Sequence, residues 1–430
     1  MNIKKLTSSI IAFTLIGAAA PESEYAFSAS LTAYAEEAYT LVEENEITYK
    51  IYSDHAEICY FDDKSITEAE VPSQINGVPV TVINIRAFVD CDDLLSITIP
   101  ASITEIKGGA FDGCPGLTQI NAAKDNPAYC SDGGVLYSKD KEVIVKYPTG
   151  REETVFAVPA GVKIIGDSAF YDNLHLKNII IPDGVEMIQR YAFCDAKELE
   201  KIHIPDSVEY IGVSALEHCL ALTEVKLPES LRIIEKFALA DCEQLRKVNI
   251  PSSVTEIRSA AFRYCSSLKN VVVPESVDVI ENVAFWCCSG LDNITILNPE
   301  CVIGEYDYEA ICSVNDADNG GMKYYGMISG YSGSTAEEYA KVIDCNFRAI
   351  DNIGDVNLDG AVDALDASLV LMEYAASATG KPSVLDEAAK LNADVNADAT
   401  ADALDASEIL GYYAYKATGG TGSLPEYIAD

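Results

Sequence analysis

Basic residues are scarce in this chain: 30 Lys and Arg stand against 68 Asp and Glu, a formal charge of −38 over 430 residues. A surface that acidic repels phosphate backbones and anionic lipid, which excludes nucleic acid and anionic membranes as partners. Histidine occurs four times (His55, His175, His203, His218) and never as HExxH. There is no Gly-x-Ser-x-Gly elbow, no phosphate loop and no CxxC pair among the thirteen cysteines. Acidic residues are so many that no pair stands out as a glycosidase dyad. Beyond the N-terminus, no apolar run is long enough to cross a bilayer. Metalloprotease, serine hydrolase, nucleotide-dependent and dithiol redox chemistry therefore have no motif to rest on.

The N-terminus has the form of a secretory leader. Lys4 and Lys5 precede an apolar run from Leu6 to Ala20, too short to span a membrane, followed by small residues. Cleavage is expected after Ala35, with Ala20 as the alternative, giving a secreted, extracellular protein without membrane insertion. An odd number of cysteines in an exported chain leaves at least one thiol unpaired. Cys91, Cys114, Cys219, Cys242, Cys265 and Cys288 share one repeating register, which favours buried cysteine used as a small apolar residue over a disulfide framework.

That register is a strict 23-residue period. Pro159, Pro182, Pro205, Pro228, Pro251 and Pro274 are spaced by it, as are Phe170, Phe193, Leu216, Leu239, Phe262 and Phe285, with Phe88 and Phe111 as earlier copies. Within a unit, alternating residues such as Ile202 and Ile204 give a short strand, which Pro205 ends because it has no N–H for a ladder. Val208 and Ile211 form a second apolar segment, and Leu216, Cys219 and Leu222 turn back inward. One unit cannot bury its own apolar face, so the units must stack as a solenoid. The step from Pro100 to Pro159 exceeds one period by 36 residues, and its extra piece, residues 132–137 and 143–147, is expected to form a hairpin inserted into the stack.

These Ile-Pro-x-Ser-Val and Ala-Phe-x-x-Cys-x-x-Leu units resemble the BspA-type leucine-rich repeats, from about Val78 to Ile296. Ala196 and Asn173 interrupt the cysteine column. The strand column Thr98, Ile180, His203, Lys226, Asn249, Val272 and Thr295 lacks the aromatic platforms of a polysaccharide ladder and reads as a solvated face. The second column, Ile164, Met187, Tyr210, Ile233 and Val279, is apolar apart from Glu256 and is a candidate protein-contact stripe. Trp286, Tyr264 and Tyr171 are the candidate contact residues of the repeats.

Beyond Asp351 arginine disappears, and Asp and Ala dominate. Asp355, Asn357, Asp359, Ala361 (through its carbonyl), Asp363 and Asp366 occupy positions one, three, five, seven, nine and twelve of a loop, with Gly360 at the sharp turn. Thirty-nine residues later Asp394, Asn396, Asp398, Thr400, Asp402 and Asp405 repeat them, with Ala399 in place of the glycine. Each loop brings four carboxylates within twelve residues, a hard oxygen set suited to Ca²⁺, so two calcium ions are expected. An apolar helix follows each loop. Gly354 leaves no room for the entering helix of a full EF-hand before the first.

This duplicated loop-helix unit resembles the type I dockerins over roughly Asn352 to Lys416. The resemblance implies calcium-dependent binding to a cohesin domain of a scaffold protein, as in cellulosomes. By motif it places Ala364, Leu365, Ser368 and Met372, with Ala403, Leu404 and Ser407, at the cohesin contact. Leu371 and Met372, and Leu410 and Gly411, stand where many dockerins carry basic residues, which makes the expected contact apolar. The identity of residues 363–368 and 402–407 suggests two equivalent binding orientations.

The expected organisation is a mainly-β (α+β) solenoid of 23-residue units with end caps, plus a small all-α dockerin with two EF-hand-like loops. Its parts are a leader (1–35), an N-terminal cap (36–80), the solenoid (81–296, hairpin about 122–157), a C-terminal cap (297–350), the dockerin (351–418) and a tail (419–430). The expected function is non-catalytic: a repeat surface for a protein or glycan ligand, carried to a scaffold. The alternatives are a polysaccharide-degrading enzyme and a cell-surface adhesin.

Overall fold

The computed structural model describes residues 39–304, 310–316, 321–397 and 400–429. The expected leader lies outside the described residues. Two columns of short parallel strands form the mainly-β solenoid, and both advance by 23 residues per coil. In the first, Asn178 pairs with Lys201, Glu224 with Lys247 and Asn270 with Asn293. In the second, Ile164 pairs with Met187, Met187 with Tyr210, and Glu256 with Val279. Alternation decides what is inside. Ile179, Ile202, Val225 and Val248 point inward and are buried, whereas Ile180 and His203 face out.

The third side of each coil is a turn, and side-chain ladders hold it to the coil before. Each Cys thiol donates to the carbonyl of the preceding coil's Phe or Leu: Cys114 to Phe88, Cys219 to Phe193, Cys242 to Leu216, Cys265 to Leu239 and Cys288 to Phe262, at 3.0–3.3 Å. Cysteine suits the place because it is small, apolar and still carries a donor for an otherwise unpaired buried carbonyl. The Ser of the Ser-Val signature does the same on another side. Ser207, Ser253 and Ser276 donate to the carbonyls of Val185, Leu231 and Val254, each at 2.7 Å. Phenyl rings stack beneath, with centroids 5.1 Å apart for Phe170 and Phe193 and 5.0 Å for Phe262 and Phe285. None of the thirteen cysteines is joined in a disulfide.

The piece inserted between Pro100 and Pro159 is a three-stranded meander, one strand more than the expected hairpin. Tyr129–Asp132, Val135–Ser138 and Val143–Lys146 form an antiparallel meander. Its last strand then pairs in parallel with Ile164–Ile165, so the insertion supplies the second-column strand that precedes that coil. Asn126 locks its start: Nδ2 donates to the carbonyls of Pro100 and Ile103, and Oδ1 accepts from Ala128 and Tyr129.

Both solenoid ends are covered. Thr40–Glu44, Ile47–Ile51 and Ala56–Phe61 make an antiparallel N-terminal sheet that joins Val78–Ile83 in parallel. At the other end, helix α1 (Thr335–Val342) is capped by Ser334, and Glu337 reaches back to the N–H of Gly333 at 2.7 Å. The strand Asn346–Ala349 closes the sheet beside Met327–Gly330. Four more helices follow: α2 (Ala364–Ala378), α3 (Glu387–Ala393), α4 (Ala403–Ala417) and α5 (Leu424–Ala429). They share a separate small core of Val356, Ala367, Val370, Ala393, Val395, Ala406, Ile409 and Leu424.

The thiol ladder is open to a direct test. Burial pushes the Cys242 thiol up to about 12, so the fully buried thiols of the column should resist iodoacetamide until denaturant is added, while half-buried Cys59, Cys130, Cys287 and Cys345 react first. Cys242→Ala removes one rung and should cost about 1–2 kcal/mol, read as a lower urea midpoint.

Candidate functional site

The two acidic loops close onto their helices in the same way, atom for atom. At the end of each loop, a buried carboxylate gathers the backbone. Asp366 Oδ1 accepts from Val356 (2.8 Å) and Asn357 (3.2 Å), and its Oδ2 accepts from Asp363 (2.9 Å). Asp405 accepts likewise from Val395 (2.9 Å), Asn396 (3.3 Å) and Asp402 (2.8 Å). Burial raises the pKa of both, that of Asp405 to about 6. A cation at the loop would favour the charged forms instead.

In the first loop the other acidic side chains turn onto the same stretch of backbone. The N–H of Asp359 is shared by Asp355 Oδ1 (3.1 Å) and Asn357 Oδ1 (2.8 Å), and Gly360 donates to Asp355 Oδ2 (2.9 Å). Oxygens of two predicted ligands, Asp355 and Asn357, thus lie side by side. Gly360 has φ +87°, a conformation that costs glycine little. Leu358 (φ +57°) and Ala397 (φ +60°) match at position four of the two loops. In the second loop, Asp398 and Ala399 lie outside the described residues. Thr400, Asp402 and Asp405 follow as expected from the sequence. The oxygen-only donor set fits Ca²⁺, with Asp355, Asn357, Asp359, Asp363, Asp366 and the Ala361 carbonyl as the residues that would hold it in the first loop.

Position nine doubles as a helix cap. Asp363 accepts from the N–H of Leu365 at 2.7 Å, and Asp402 from that of Leu404 at 2.6 Å, each within a full capping box. The residues just beyond the caps are offered to solvent. Leu365 and Leu404 are each 55% exposed, and Met372 is exposed also. Ser368 bonds its own helix at the Ala364 carbonyl, 2.7 Å away. Ala364, Ala403 and Ser407 are exposed on the same first turns.

The candidate repeat contacts are only partly gathered. Tyr264 and Trp286 lie with ring centroids 5.5 Å apart, and the Arg263 guanidinium sits 5.4 Å from the Tyr264 ring. Tyr171 stands five coils away, ~24 Å at the ~4.8 Å spacing of stacked strands, against Lys146 instead. The expected solvated strand face holds through Lys226 but not at its far end. Val272 is half-buried and Thr295 is buried, because the C-terminal helices lie over them.

Sequence reasoning missed two groups. Asp195, His218 and Asp241 are 23 residues apart and meet on the turn side, with His218 at 3.5 Å from Asp195 and 3.7 Å from Asp241. Glu217 joins them, and Arg263 closes the group by pairing with Asp241 at 2.8 Å. The signal was the period itself. The second is Arg348, which reaches from the last solenoid strand into the helical region; nothing local in the sequence marks it.

The model of the BspA type leucine rich repeat region matches residues 46–131, 153–265 and 186–315, in six copies. The Dockerin type I domain model matches residues 353–412. Among solved structures, a leucine-rich repeat protein from Eubacterium ventriosum is similar at 21% identity and TM-score 0.47, over 66% of this chain and 97% of that one. The pneumococcal vaccine antigen PcpA matches at 15% identity and TM-score 0.39, over 72% and 98%. A leucine rich cell surface protein from Faecalibacterium prausnitzii matches at 20% and 0.32, over 72% and 98%. No match was found among curated proteins. Among the described residues, no helix is long and apolar enough to cross a membrane. Type I dockerins bind calcium and imply anchoring to cohesins, leucine-rich repeats imply protein binding, and the two together point to a non-catalytic protein. With more than half its length matched by the repeat model, the chain belongs to the BspA-type leucine-rich repeat family, and it carries a type I dockerin domain at its C-terminal side.

Proposed function

We propose that this is an exported, non-catalytic protein whose dockerin, loaded with two calcium ions, binds a cohesin of an extracellular scaffold and so displays the repeat surface there. The observation that carries the reading is the duplication of the site: two loops closed and capped by the same hydrogen bonds from position nine and position twelve, each followed by an equally exposed leucine. Calcium would be held by Asp355, Asn357, Asp359, Ala361, Asp363 and Asp366 in one loop. The second set is Asp394, Asn396, Asp398, Thr400, Asp402 and Asp405. Cohesin would meet Ala364, Leu365, Ser368 and Met372, or Ala403, Leu404 and Ser407. The Tyr264–Trp286 pair with Arg263 is the best-formed contact patch of the repeats and suits a protein or glycan ligand. Export rests on Lys4, Lys5 and the apolar run from Leu6 to Ala20.

The full chain should be retained by immobilised type I cohesins in calcium and released by a chelator; a panel that captures nothing in calcium refutes the docking role. Two equivalent orientations make a further demand. Leu365→Glu or Leu404→Glu alone removes one of two equal modes and should weaken binding only about twofold. The double variant should lose about a hundredfold or more, since a buried apolar contact becomes an unpaired charge. Affinities from surface plasmon resonance decide it, and a single variant that abolishes binding rules out the two-orientation model.

A further inference from the structure

The two calcium loops are alike internally but not in their surroundings. Arg348 lies on the last solenoid strand, in register with Ser329, and is only 7% exposed. Its side chain leaves the repeat domain and enters the dockerin at the second loop. Nη2 donates to the carbonyls of Leu391 and Asp394, and Nη1 lies 3.6 Å from Asp394 Oδ2. Asp394 is position one of that loop. Its counterpart Asp355 is turned onto the N–H groups of Asp359 and Gly360, and among the described residues no cation is paired with it. Arg348 does not stand alone. A cavity of about 270 Å³ separates the sheet from residues 395–397 of the loop, and Arg246, Lys247 and Lys269 line it together with Arg348. In a chain of charge −38, four cations of the repeat domain are thus collected beneath one of the two acidic loops.

We propose that the repeat domain tunes the second calcium loop: Arg348 and calcium share the Asp394 carboxylate, so calcium loading of that loop and seating of the dockerin on the solenoid oppose each other. The proposal rests on the reading of Asp394 as a calcium ligand. A divalent ion held by Asp394 lies about one carboxylate away from a guanidinium that burial shields little from it, and like charges at that range weaken binding by about tenfold. Linkage makes the effect reciprocal: whatever Arg348 subtracts from calcium affinity, calcium subtracts from the hold of Arg348 on the dockerin. The first loop, without such a cation, fills first. The second then acts as the calcium-sensitive joint between the displayed repeats and the scaffold-bound module.

The test uses the full chain titrated with calcium chloride by calorimetry, with each loop read alone. Asp359→Ala silences the first loop, and Asp398→Ala the second. Arg348→Met keeps the stem and removes the charge. It should raise calcium affinity of the second loop about tenfold and leave the first unchanged, whereas Arg348→Lys, which keeps the charge, should stay near the parent value. Small-angle scattering should show the parent chain extending when calcium fills the second loop, and Arg348→Met already extended without it. An Arg348→Met chain whose second loop binds as the parent does, or more weakly, overturns the coupling; weaker binding would mean that Arg348 props the loop. No calcium uptake by either loop overturns the docking reading and this inference together, which separates that failure from failure of the coupling alone. Circular dichroism of each variant shows whether the helices are intact.

Discussion

In a parallel solenoid of fixed period, every residue has its own counterpart above and below it, and the rest of this structure follows from that constraint. A position that is buried in one coil is buried in all. A polar group that needs a partner finds the same carbonyl each time, which is why one Cys and one Ser per coil recur as ladders rather than as isolated bonds. The rule bears hardest on charge. With 68 acidic residues, like charges in one column would repel along its whole length. The surface avoids this by alternation at the same step: Lys177 pairs with Glu200 at 2.8 Å, Glu235 with Arg258 at 2.8 Å and Lys269 with Asp292 at 3.2 Å. The exposed pairs among them stabilise little one by one, but together they let an acidic chain stack at all.

The same constraint explains what could be read without coordinates. Period, strand, turn and inward column are all local or exactly periodic signals, so the repeat architecture and its column of buried cysteines were legible from spacing alone. The insertion was half legible. Gly133 and Gly134 mark a reversal, but nothing local says that Val143–Lys146 turns to pair in parallel with Ile164–Ile165. Asp195, His218 and Asp241 form a 23-residue series, so their meeting is legible only when each is placed in the register of the repeat. Thr295 was misjudged for a different reason: its column is solvated in the repeat, and only the packing of a separate domain covers it.

The acidic loops were the most legible site, because a calcium loop is a local object whose ligands, turn and following helix lie within a dozen residues. Arg348 was the least legible. It is one arginine on a short strand, and its partners at Leu391 and Asp394 lie more than forty residues downstream. Local chemistry makes the two loops twins, and tertiary context separates them. Sequence symmetry in such a module therefore sets what the halves are able to do, while the domain beside them decides how alike they remain.

On the proposed reading, the loop geometry also ties calcium binding to partner binding. Asp363 and Asp402 hold position nine of their loops and at the same time cap α2 and α4 through the N–H of Leu365 and Leu404. Asp366 and Asp405, at position twelve, reach back to the start of the loop and to the cap residue itself. The backbone of each loop is thus tied to the first helical turn through carboxylates. Four carboxylates so close repel one another, and a cation among them removes that repulsion and fixes the cap. The first residues to feel the cap are Ala364 and Leu365, or Ala403 and Leu404, the apolar pairs offered to solvent. An exposed leucine on a frayed turn presents many conformations to a partner, whereas on a fixed turn it presents one, and the entropy no longer lost on binding appears as affinity. Calcium need not touch the partner to control it; ordering the turn that carries the leucine is enough.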